Sequence, residues 1–380
     1  MSSVTWADVV ARRLARSSLS ERVTGKSLVD VARDLGGVHA QVQVSAELQL
    51  GARLDGITQA DVREALWTRR SLVKAWTLRG TLHLHPAAEL PLWYAARRAV
   101  GASPADGTGL AEWRDPQGVL HPALGADEVK ATRAAVWEAL DGRCLRRDEL
   151  ADEVVKRVGS RVRQRLLSGF AFFLAELCQG PPQGAKVTFV RPDQWIDGWR
   201  DVEERAALLE VCRRYLSTYG PARPSDFQEW FSAPAFRPAD ARALFDALGD
   251  ELEEIDVEGR SAYVLTGDTA FPTLQPSLRL LPEYDVYIMG FREREQLIPE
   301  AVRLQVAAHG RGRYEGPAGI PFALVDGIAA GVWRRKKSGK RIELHVNPAR
   351  RLTRPERAQL DAEAERIGAF VGLEPVLTVE

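Results

Sequence analysis

The sequence predicts an α+β protein in which groups of helices alternate with β-hairpins. Three observations indicate this class. Apolar residues recur three or four positions apart in many segments, two-residue alternation follows each group of such segments, and Gly- and Pro-rich stretches separate the groups. The chain of 380 residues is too long for one small core, so several domains are expected.

The first group of elements has the order of a winged helix. Its predicted helices lie near residues 5–17, 26–35, 38–54 and 58–68. Thr5, Ser27 and Thr58 mark three of the starts, because their hydroxyls can cap a helix N-terminus. Residues 71–86 then alternate between apolar and polar side chains around Gly80, which predicts a β-hairpin.

The same order of elements occurs twice more after the Gly- and Pro-rich stretch 101–125. The second group has predicted helices at 126–140, 146–158 and 161–179 and a strand at 185–192. The third has helices at 204–220, 223–231 and 237–248 and an alternating segment at 252–265. No similarity between the groups is visible at the level of single residues, so only the order of elements repeats.

The last part of the chain is rich in predicted strands. Short β segments are expected at 278–290, 323–337 and 340–347, with turns at 326–327 and 338–339 and a final helix near 354–370. We therefore expect three tandem winged-helix units plus a C-terminal β-rich domain. Their predicted bounds are 1–105, 124–198, 199–267 and 268–380, and the last domain carries a basic hairpin.

Composition restricts the class of protein. A hydrophobic content of 45% and a charged content of 27% are typical of globular proteins. Neither a signal peptide nor an apolar run of membrane-spanning length is recognisable, so we expect a cytoplasmic, nucleoid-associated protein with no membrane partner. The three cysteines lack any paired spacing, which argues against disulfides and thiolate metal sites.

Charge is distributed unevenly although the formal net charge is zero. Residues 1–100 carry 14 Lys and Arg against 9 Asp and Glu, residues 333–351 carry 8 against 1, and residues 201–258 carry 6 against 14. A neutral total disfavours a general polyanion binder, but this asymmetry predicts a basic face that meets a phosphate backbone. Solvated charge runs are the simpler alternative.

Four motifs carry a resemblance to a known family. They are "WTLRGTLHLHPA" (76–87), "YGPARPSDFQEWF" (219–231), "RLLPEYDVYIMGFRERE" (279–295) and "VDGIAAGVWRRKK" (325–337). In this order and at these separations they resemble the tandem winged-helix DNA glycosylases typified by AlkZ and YcaQ. The resemblance covers essentially the whole chain. It implies a C-shaped array of the winged-helix units and metal-free excision of bulky N7-alkylated purines, including interstrand crosslinks.

The resemblance also implies a catalytic motif at the start of a helix, after a turn of the Gly36-Gly37 type. The family pattern is glutamine, an aliphatic residue, then glutamine or aspartate, and it aligns with His39-Ala40-Gln41. This sequence departs from the pattern at the first position, where histidine replaces glutamine. The alternative register, Gln41-Val42-Gln43, keeps both glutamines but lies two residues farther from the glycines.

These residue types suit the implied chemistry. An N7-alkylated purine is cationic and leaves easily, so the enzyme needs chiefly to hold a water molecule near the developing oxocarbenium sugar. The amide of Gln41 can orient that water. His39 can accept its proton, act as a second water ligand or contact a phosphate, and the sequence leaves these roles open. If His39 only caps a helix and the glutamines face solvent, the motif is structural.

Two hairpins supply candidate DNA contacts. The first offers Arg79, Thr81, His83 and His85 at alternating positions, although one parity of any edge hairpin packs inward. The histidine pair lacks a third metal ligand at suitable spacing, so no metal is expected. The second hairpin is basic and, unless it is an ordinary solvated turn, follows phosphates. Its cations are Arg334, Arg335, Lys336, Lys337, Lys340 and Arg341.

Two hypotheses for function follow. The first is a monofunctional DNA glycosylase without cofactor, acting as a monomer on double-stranded DNA with alkylated purines, in repair or in self-resistance to a toxin. The alternative is a non-catalytic winged-helix DNA-binding protein or transcription regulator, because the fold is mostly non-enzymatic. Glu283 and Asp285 are weak further candidates for a carboxylate in the cleft, since such a pair more often forms a turn or an ion pair.

Overall fold

The computed structural model describes residues 3–101, 107–115, 117–168, 176–290, 294–308 and 319–380. Helices and strands are both abundant in these ranges, and the predicted α+β class is confirmed. No helix in the described part of the chain is both long and apolar enough to span a bilayer.

The helices begin mostly where the sequence predicts them. They are α1 (Trp6–Arg16), α2 (Leu28–Asp34), α3 (Gln43–Gly51), α4 (Gln59–Trp67), α5 (Leu90–Ala99), α6 (Ala126–Ala139), α7 (Arg147–Val158), α8 (Arg163–Leu167), α9 (Pro192–Trp195), α10 (Glu204–Tyr219), α11 (Pro224–Phe231), α12 (Pro238–Leu248), α13 (Val286–Met289), α14 (Glu300–Ala308) and α15 (Arg354–Val371). Capping explains the accuracy at α1, where the Thr5 hydroxyl accepts from the Asp8 amide at 3.2 Å and the Asp8 carboxylate accepts from the Thr5 amide at 2.8 Å.

The strands form hairpins and small sheets. They are β1 (Ser3–Val4), β2 (Val38–His39), β3 (Leu72–Trp76), β4 (Leu82–Pro86), β5 (Trp113–Arg114), β6 (Leu120–His121), β7 (Leu145–Arg146), β8 (Cys178–Gln183), β9 (Lys186–Val190), β10 (Leu252–Val257), β11 (Arg260–Leu265), β12 (Leu278–Leu281), β13 (Phe322–Val325), β14 (Ile328–Ser338), β15 (Arg341–Pro348) and β16 (Glu374–Val379).

Three predicted elements differ from the structure. The helix expected over 38–54 begins only at Gln43, after the short strand β2. The β segment expected over 278–290 is a strand up to Leu281, followed by the short helix α13. A single helix is expected over 161–179. The structure has the short helix α8 and, from Cys178, the strand β8, while residues 169–175 lie outside the described residues.

The chain divides into two compact units, each discontinuous in sequence. The first unit comprises residues 1–65, 209–231 and 238–380. Its larger sheet has the strand order β12-β13-β14-β15-β16, antiparallel except for the parallel pair β15 and β16. Its smaller sheet joins β1 to the hairpin β10–β11.

Close packing fixes α3 inside the first unit. A Cβ atom placed on Gly51 would lie 2.8 Å from the ring of Phe370 on α15, so only glycine permits this approach. Ala52, directly after α3, joins one core with apolar side chains from α1, the larger sheet and α13. Since α3 follows the candidate motif, this packing sets the position of the motif in the unit.

The second unit comprises residues 66–208 and 232–237. Within it, strands follow the order β4-β3-β8-β9-β7, and α6, α7 and α8 pack over a core that includes Phe189 of β9. The predicted hairpin 71–86 is present as β3 and β4, in the register Leu72 opposite Pro86 to Trp76 opposite Leu82. The bounds expected for the four domains are defined by repeated elements, not by compactness, and they stay a prediction.

Candidate active site

The candidate motif follows a glycine turn that ends α2. The amide of Gly36 donates to the Arg33 carbonyl and that of Gly37 to the Ala32 carbonyl, both at 2.9 Å. Their φ angles of 65° and 102° lie in the left-handed region, which only glycine adopts without strain. The chain then extends through β2 before α3 begins, so the motif precedes the helix and is not its first turn.

Hydrogen bonds from distant residues hold this turn and the strand after it. The Thr218 hydroxyl donates to the Asp34 carbonyl, and the Tyr219 hydroxyl donates to the Leu35 carbonyl at 2.8 Å. On the other side, the Gln49 amide donates to the His39 carbonyl at 3.0 Å. The turn before the motif is therefore anchored from α10, and the motif itself is anchored from α3 at His39.

The three candidate side chains have different surroundings. His39 is 2% exposed, and its ring lies against the Tyr284 ring, with centroids 4.9 Å apart and planes tilted by 33°. Gln41 is exposed. Gln43 is half-buried in the first turn of α3, where its amide donates to the Glu47 carboxylate at 3.2 Å. Gln41, which both registers share, is thus the member most open to a substrate.

Glu47, which sequence analysis did not single out, is a fully buried carboxylate one turn beyond the motif. Besides Gln43, it accepts from Gln59 at 2.6 Å and from two nitrogens of Arg63 at 2.8 and 3.2 Å. These bonds raise the pKa of Arg63 and satisfy the carboxylate. We therefore assign Glu47 to structure and not to proton transfer.

The segment Glu283–Val286 packs along one face of α3. The Ser45 hydroxyl donates to the Glu283 carbonyl, and the Val286 amide donates to the Gln49 carbonyl oxygen at 3.3 Å. These α3 residues are four positions apart, so they share a face of the helix.

Both weak carboxylate candidates in this segment are ion-paired. Asp285 accepts from Arg53 at 2.7 and 2.9 Å, and both side chains are fully buried. Glu283 accepts from Arg335 of β14 at 2.8 and 2.9 Å, with both side chains less than 20% exposed. They are thus elements of ion pairs, and Arg335 of the basic hairpin is committed to one of them.

The other cations of the basic hairpin fall into two groups. Arg334 and Arg341 lie within 3.1 Å of Glu380 and 3.0 Å of Glu374, respectively, although they are exposed. The second group has no ion pair to a carboxylate within the described ranges, and all its members are exposed. This group consists of Lys336, Lys337 and Lys340. The local charge bias is therefore partly neutralised by glutamates remote in sequence.

The other hairpin offers less polar surface than its sequence indicates. His83 and His85 are both 0% exposed, so the expectation that they line an open surface is not met. Arg79 donates to His83 Nε2 at 3.1 Å, so this nitrogen is the acceptor of the ring. Nδ1 then carries the hydrogen and donates to the Thr81 carbonyl at 3.1 Å, which assigns the neutral Nδ1–H tautomer. Arg79 and Thr81 are partly exposed and stay candidates for contact with DNA.

His85 is likewise held within the hairpin, 2.8 Å from the Thr77 hydroxyl. In the described portion of the chain no three His, Cys, Asp or Glu side chains come together as metal ligands. Cys178 and Cys212 are buried, and burial raises the pKa of both thiols. They pack as small apolar side chains.

Comparisons with known proteins agree with this fold. The family model described as DNA glycosylase AlkZ-like matches residues 32–370. A relative from Streptomyces sahachiroi, described as an interstrand DNA cross-link repair glycosylase, is 32% identical over 344 residues that cover 87% of each chain. The solved structure of Streptomyces sahachiroi DNA glycosylase AlkZ matches with a TM-score of 0.78 at 30% identity, covering 100% of both chains.

These findings define the class of protein as a DNA glycosylase, an enzyme that cleaves the bond between a base and its deoxyribose. The chain belongs to the AlkZ-like DNA glycosylase family. The resemblance carried by the four sequence motifs is confirmed, and the alternative of a non-catalytic regulator is not supported.

Proposed function

We propose that this enzyme hydrolyses the N-glycosidic bond of bulky N7-alkylated purines in double-stranded DNA, including purines joined in interstrand crosslinks. The observation that carries the proposal is the exposed Gln41, presented on a segment whose backbone is anchored on both sides. The relative described as a cross-link repair glycosylase supports the crosslinked substrate. The proposed setting is repair of DNA alkylated by a toxin, whether the cell makes that toxin or meets it.

The reaction is a hydrolysis at the anomeric carbon of the sugar. The bond from this carbon to the base breaks, and its electron pair neutralises the cationic purine, so the leaving group needs no acid. Water adds to the oxocarbenium-like carbon from the opposite face and loses a proton. The product is an abasic site, and no covalent intermediate with the enzyme is required.

Gln41 is proposed to hold the attacking water. Its carbonyl oxygen accepts from the water and places a dipole near the developing positive charge on the sugar. An amide cannot take the proton outright. Because Gln41 is common to both registers of the motif, this assignment does not depend on which register operates.

His39 is proposed to act on the same water, as proton acceptor or second ligand. With 2% exposure, its ring is shielded from bulk solvent, which suits a group that meets a single bound water. The same burial disfavours contact with a phosphate, which needs an open side of the ring. Gln43 is the weaker candidate, since its amide already donates to Glu47.

Binding to the duplex is proposed to rest on the basic hairpin and on the exposed part of the other hairpin. Lys336, Lys337 and Lys340 are the hairpin cations available to phosphates, while Arg79 and Thr81 supply polar groups elsewhere. Arg334 and Arg341 are also proposed to contact phosphates. To do so they must exchange their exposed glutamate partners for DNA, at a cost of about 1 kcal/mol each or less. The three tandem winged-helix units belong to this proposal and are supported by the repeated order of elements, while their C-shaped arrangement is what the family resemblance implies. We further propose a monomeric enzyme.

The test is excision from duplexes that contain N7-methylguanine or a nitrogen-mustard crosslink, followed by mild alkali to cut at abasic sites. Gln41→Ala is expected to lower the single-turnover rate at least ~100-fold with little change in duplex affinity, as for loss of one preorganised polar group. His39→Ala and Gln43→Ala are matched controls for the register, and only the first should be strongly impaired. No strand scission by the wild type on any such lesion would reject the proposed substrate.

A further inference from the structure

The segment that carries Tyr284 is held more firmly than an ordinary surface turn. The residues on either side of Tyr284 each form a bidentate ion pair, Glu283 with Arg335 and Asp285 with Arg53. Two separate parts of the chain, the residues that follow α3 and strand β14, therefore hold this turn on the two sides of Tyr284. Such convergence is more than a connection between β12 and α13 requires.

Tyr284 itself adopts an unfavourable backbone conformation. Its φ angle of 60° lies in the left-handed region, where a bulky L-residue is an outlier and glycine or asparagine is preferred. Strain of this kind persists only when the surroundings enforce it, and it concentrates at functional sites. The two ion pairs hold the backbone in this conformation, and we infer that the conformation serves to place the Tyr284 side chain.

The Tyr284 side chain lies against His39. The ring centroids are 4.9 Å apart, and the imidazole is otherwise almost closed to solvent. Gln49 connects the same two places, because its amide donates to the His39 carbonyl and its carbonyl oxygen accepts from Val286. The Tyr284 turn and strand β2 are thus coupled both through the buried side-chain amide of Gln49 and through a ring contact.

We propose that Tyr284 is a positioning residue that fixes the orientation of the His39 imidazole for hydrolysis. The inference rests on the proposed function. The aromatic ring restricts rotation of the imidazole about its side-chain bonds, so that the nitrogen acting on water keeps one direction. Glu283 and Asp285 act through Tyr284 by holding its backbone, and none of the three touches the substrate.

The test uses three substitutions at this position. Tyr284→Phe keeps the ring and is expected to retain the excision rate within about threefold. Tyr284→Leu keeps the left-handed strain but removes the ring, and Tyr284→Gly removes both. Each is expected to lower the single-turnover rate by about 10- to 100-fold, the scale of an ångström-level misplacement, with unchanged duplex affinity.

Thermal stability separates positioning from general support of the fold. Because glycine relieves the strain at φ 60°, the Tm of Tyr284→Gly should equal or exceed that of Tyr284→Leu, while both lose activity. A merely structural role predicts instead that activity follows Tm across the series. Full activity of Tyr284→Leu, or a rate loss that tracks Tm, would overturn the inference.

A second readout does not depend on excision. With histidine labelled at Cε1, the His39 signal, assigned with a His39→Asn variant, should lose its ring-current shift in Tyr284→Leu and keep it in Tyr284→Phe. An unchanged His39 signal in Tyr284→Leu refutes the positioning role even if the wild type is active. Absence of wild-type excision on every lesion refutes the proposed function separately, whatever the His39 signal shows.

Discussion

Replacing Lys336, Lys337 and Lys340 by alanine is expected to weaken duplex binding in a salt-dependent manner. These lysines are exposed and form no ion pair with a carboxylate in the described ranges, whereas each arginine of the hairpin already has a glutamate partner. Each lysine that neutralises a phosphate contributes about 0.9 to the slope of log affinity against log salt, so three contribute about 2.7. The slope of the variant should be shallower by that amount.

The assay is fluorescence anisotropy of an undamaged duplex between about 50 and 200 mM salt, the range over which phosphate contacts are strongly screened. A triple alanine variant of Lys130, Lys156 and Lys186 is the matched control. These are exposed lysines outside the hairpin, and their removal changes the net charge equally. If both variants have the same slope, the hairpin does not track phosphates, and the basic-hairpin assignment is wrong.

Two further predictions concern stability. Asp285→Asn leaves the fully buried Arg53 guanidinium without its counterion, so the free energy of unfolding should fall by about 3–5 kcal/mol, read as a lower Tm. Arg350 and the Thr353 cap lower the pKa of Glu356 to about 2. A carboxylate with a depressed pKa stabilises the fold above its unfolded pKa near 4.5, and this contribution is lost as the pH falls toward 2. Glu356→Gln should therefore flatten the decline of Tm in that window, and an unchanged Tm profile would argue against the assignment.

Helix starts were predictable from sequence because their causes are local. Thr5 and Ser27 each precede an aspartate by three residues, and both pairs form complete capping boxes. The hairpin turn around Gly339 was likewise marked by its own residues, with φ of 61° at the glycine. In each case the determining atoms lie within a few positions of one another.

The predicted start of α3 was wrong because the apolar pattern of this helix continues upstream of Gln43 without a break. Val38 and His39 are extended, and Val42 is the N-cap although it has no side chain that can cap. Thr218 and Tyr219, which anchor the preceding turn, lie more than 180 residues away in sequence. No local pattern shows these distant contacts, so the predicted helix wrongly included the residues of the motif that precede Gln43.

Charge counts misjudged the surface for a similar reason. Arg12, Arg13, Arg53 and Arg97 contribute to the basic excess of residues 1–100, yet all are at most 5% exposed. Their partners are a carboxylate or backbone carbonyl elsewhere in the chain. A window of sequence counts such side chains as surface charge, whereas folding takes them out of contact with DNA.

The candidate site was only partly predictable. The family resemblance indicated the motif, but the sequence could not show that Gln41 is exposed while His39 is buried. It also could not indicate Tyr284, whose signal is a backbone angle and a contact with a residue 245 positions earlier in the chain.

We propose that a cationic base needs no acid to leave, so that an amide and an imidazole acting on one water are sufficient for excision. The most direct measurement compares single-turnover excision by the wild type from matched duplexes that contain N7-methylguanine or the neutral purine hypoxanthine. We expect excision of N7-methylguanine and none of hypoxanthine, with similar affinity for both duplexes. Comparable excision of hypoxanthine would contradict it, because a neutral purine leaves only when an acid protonates it.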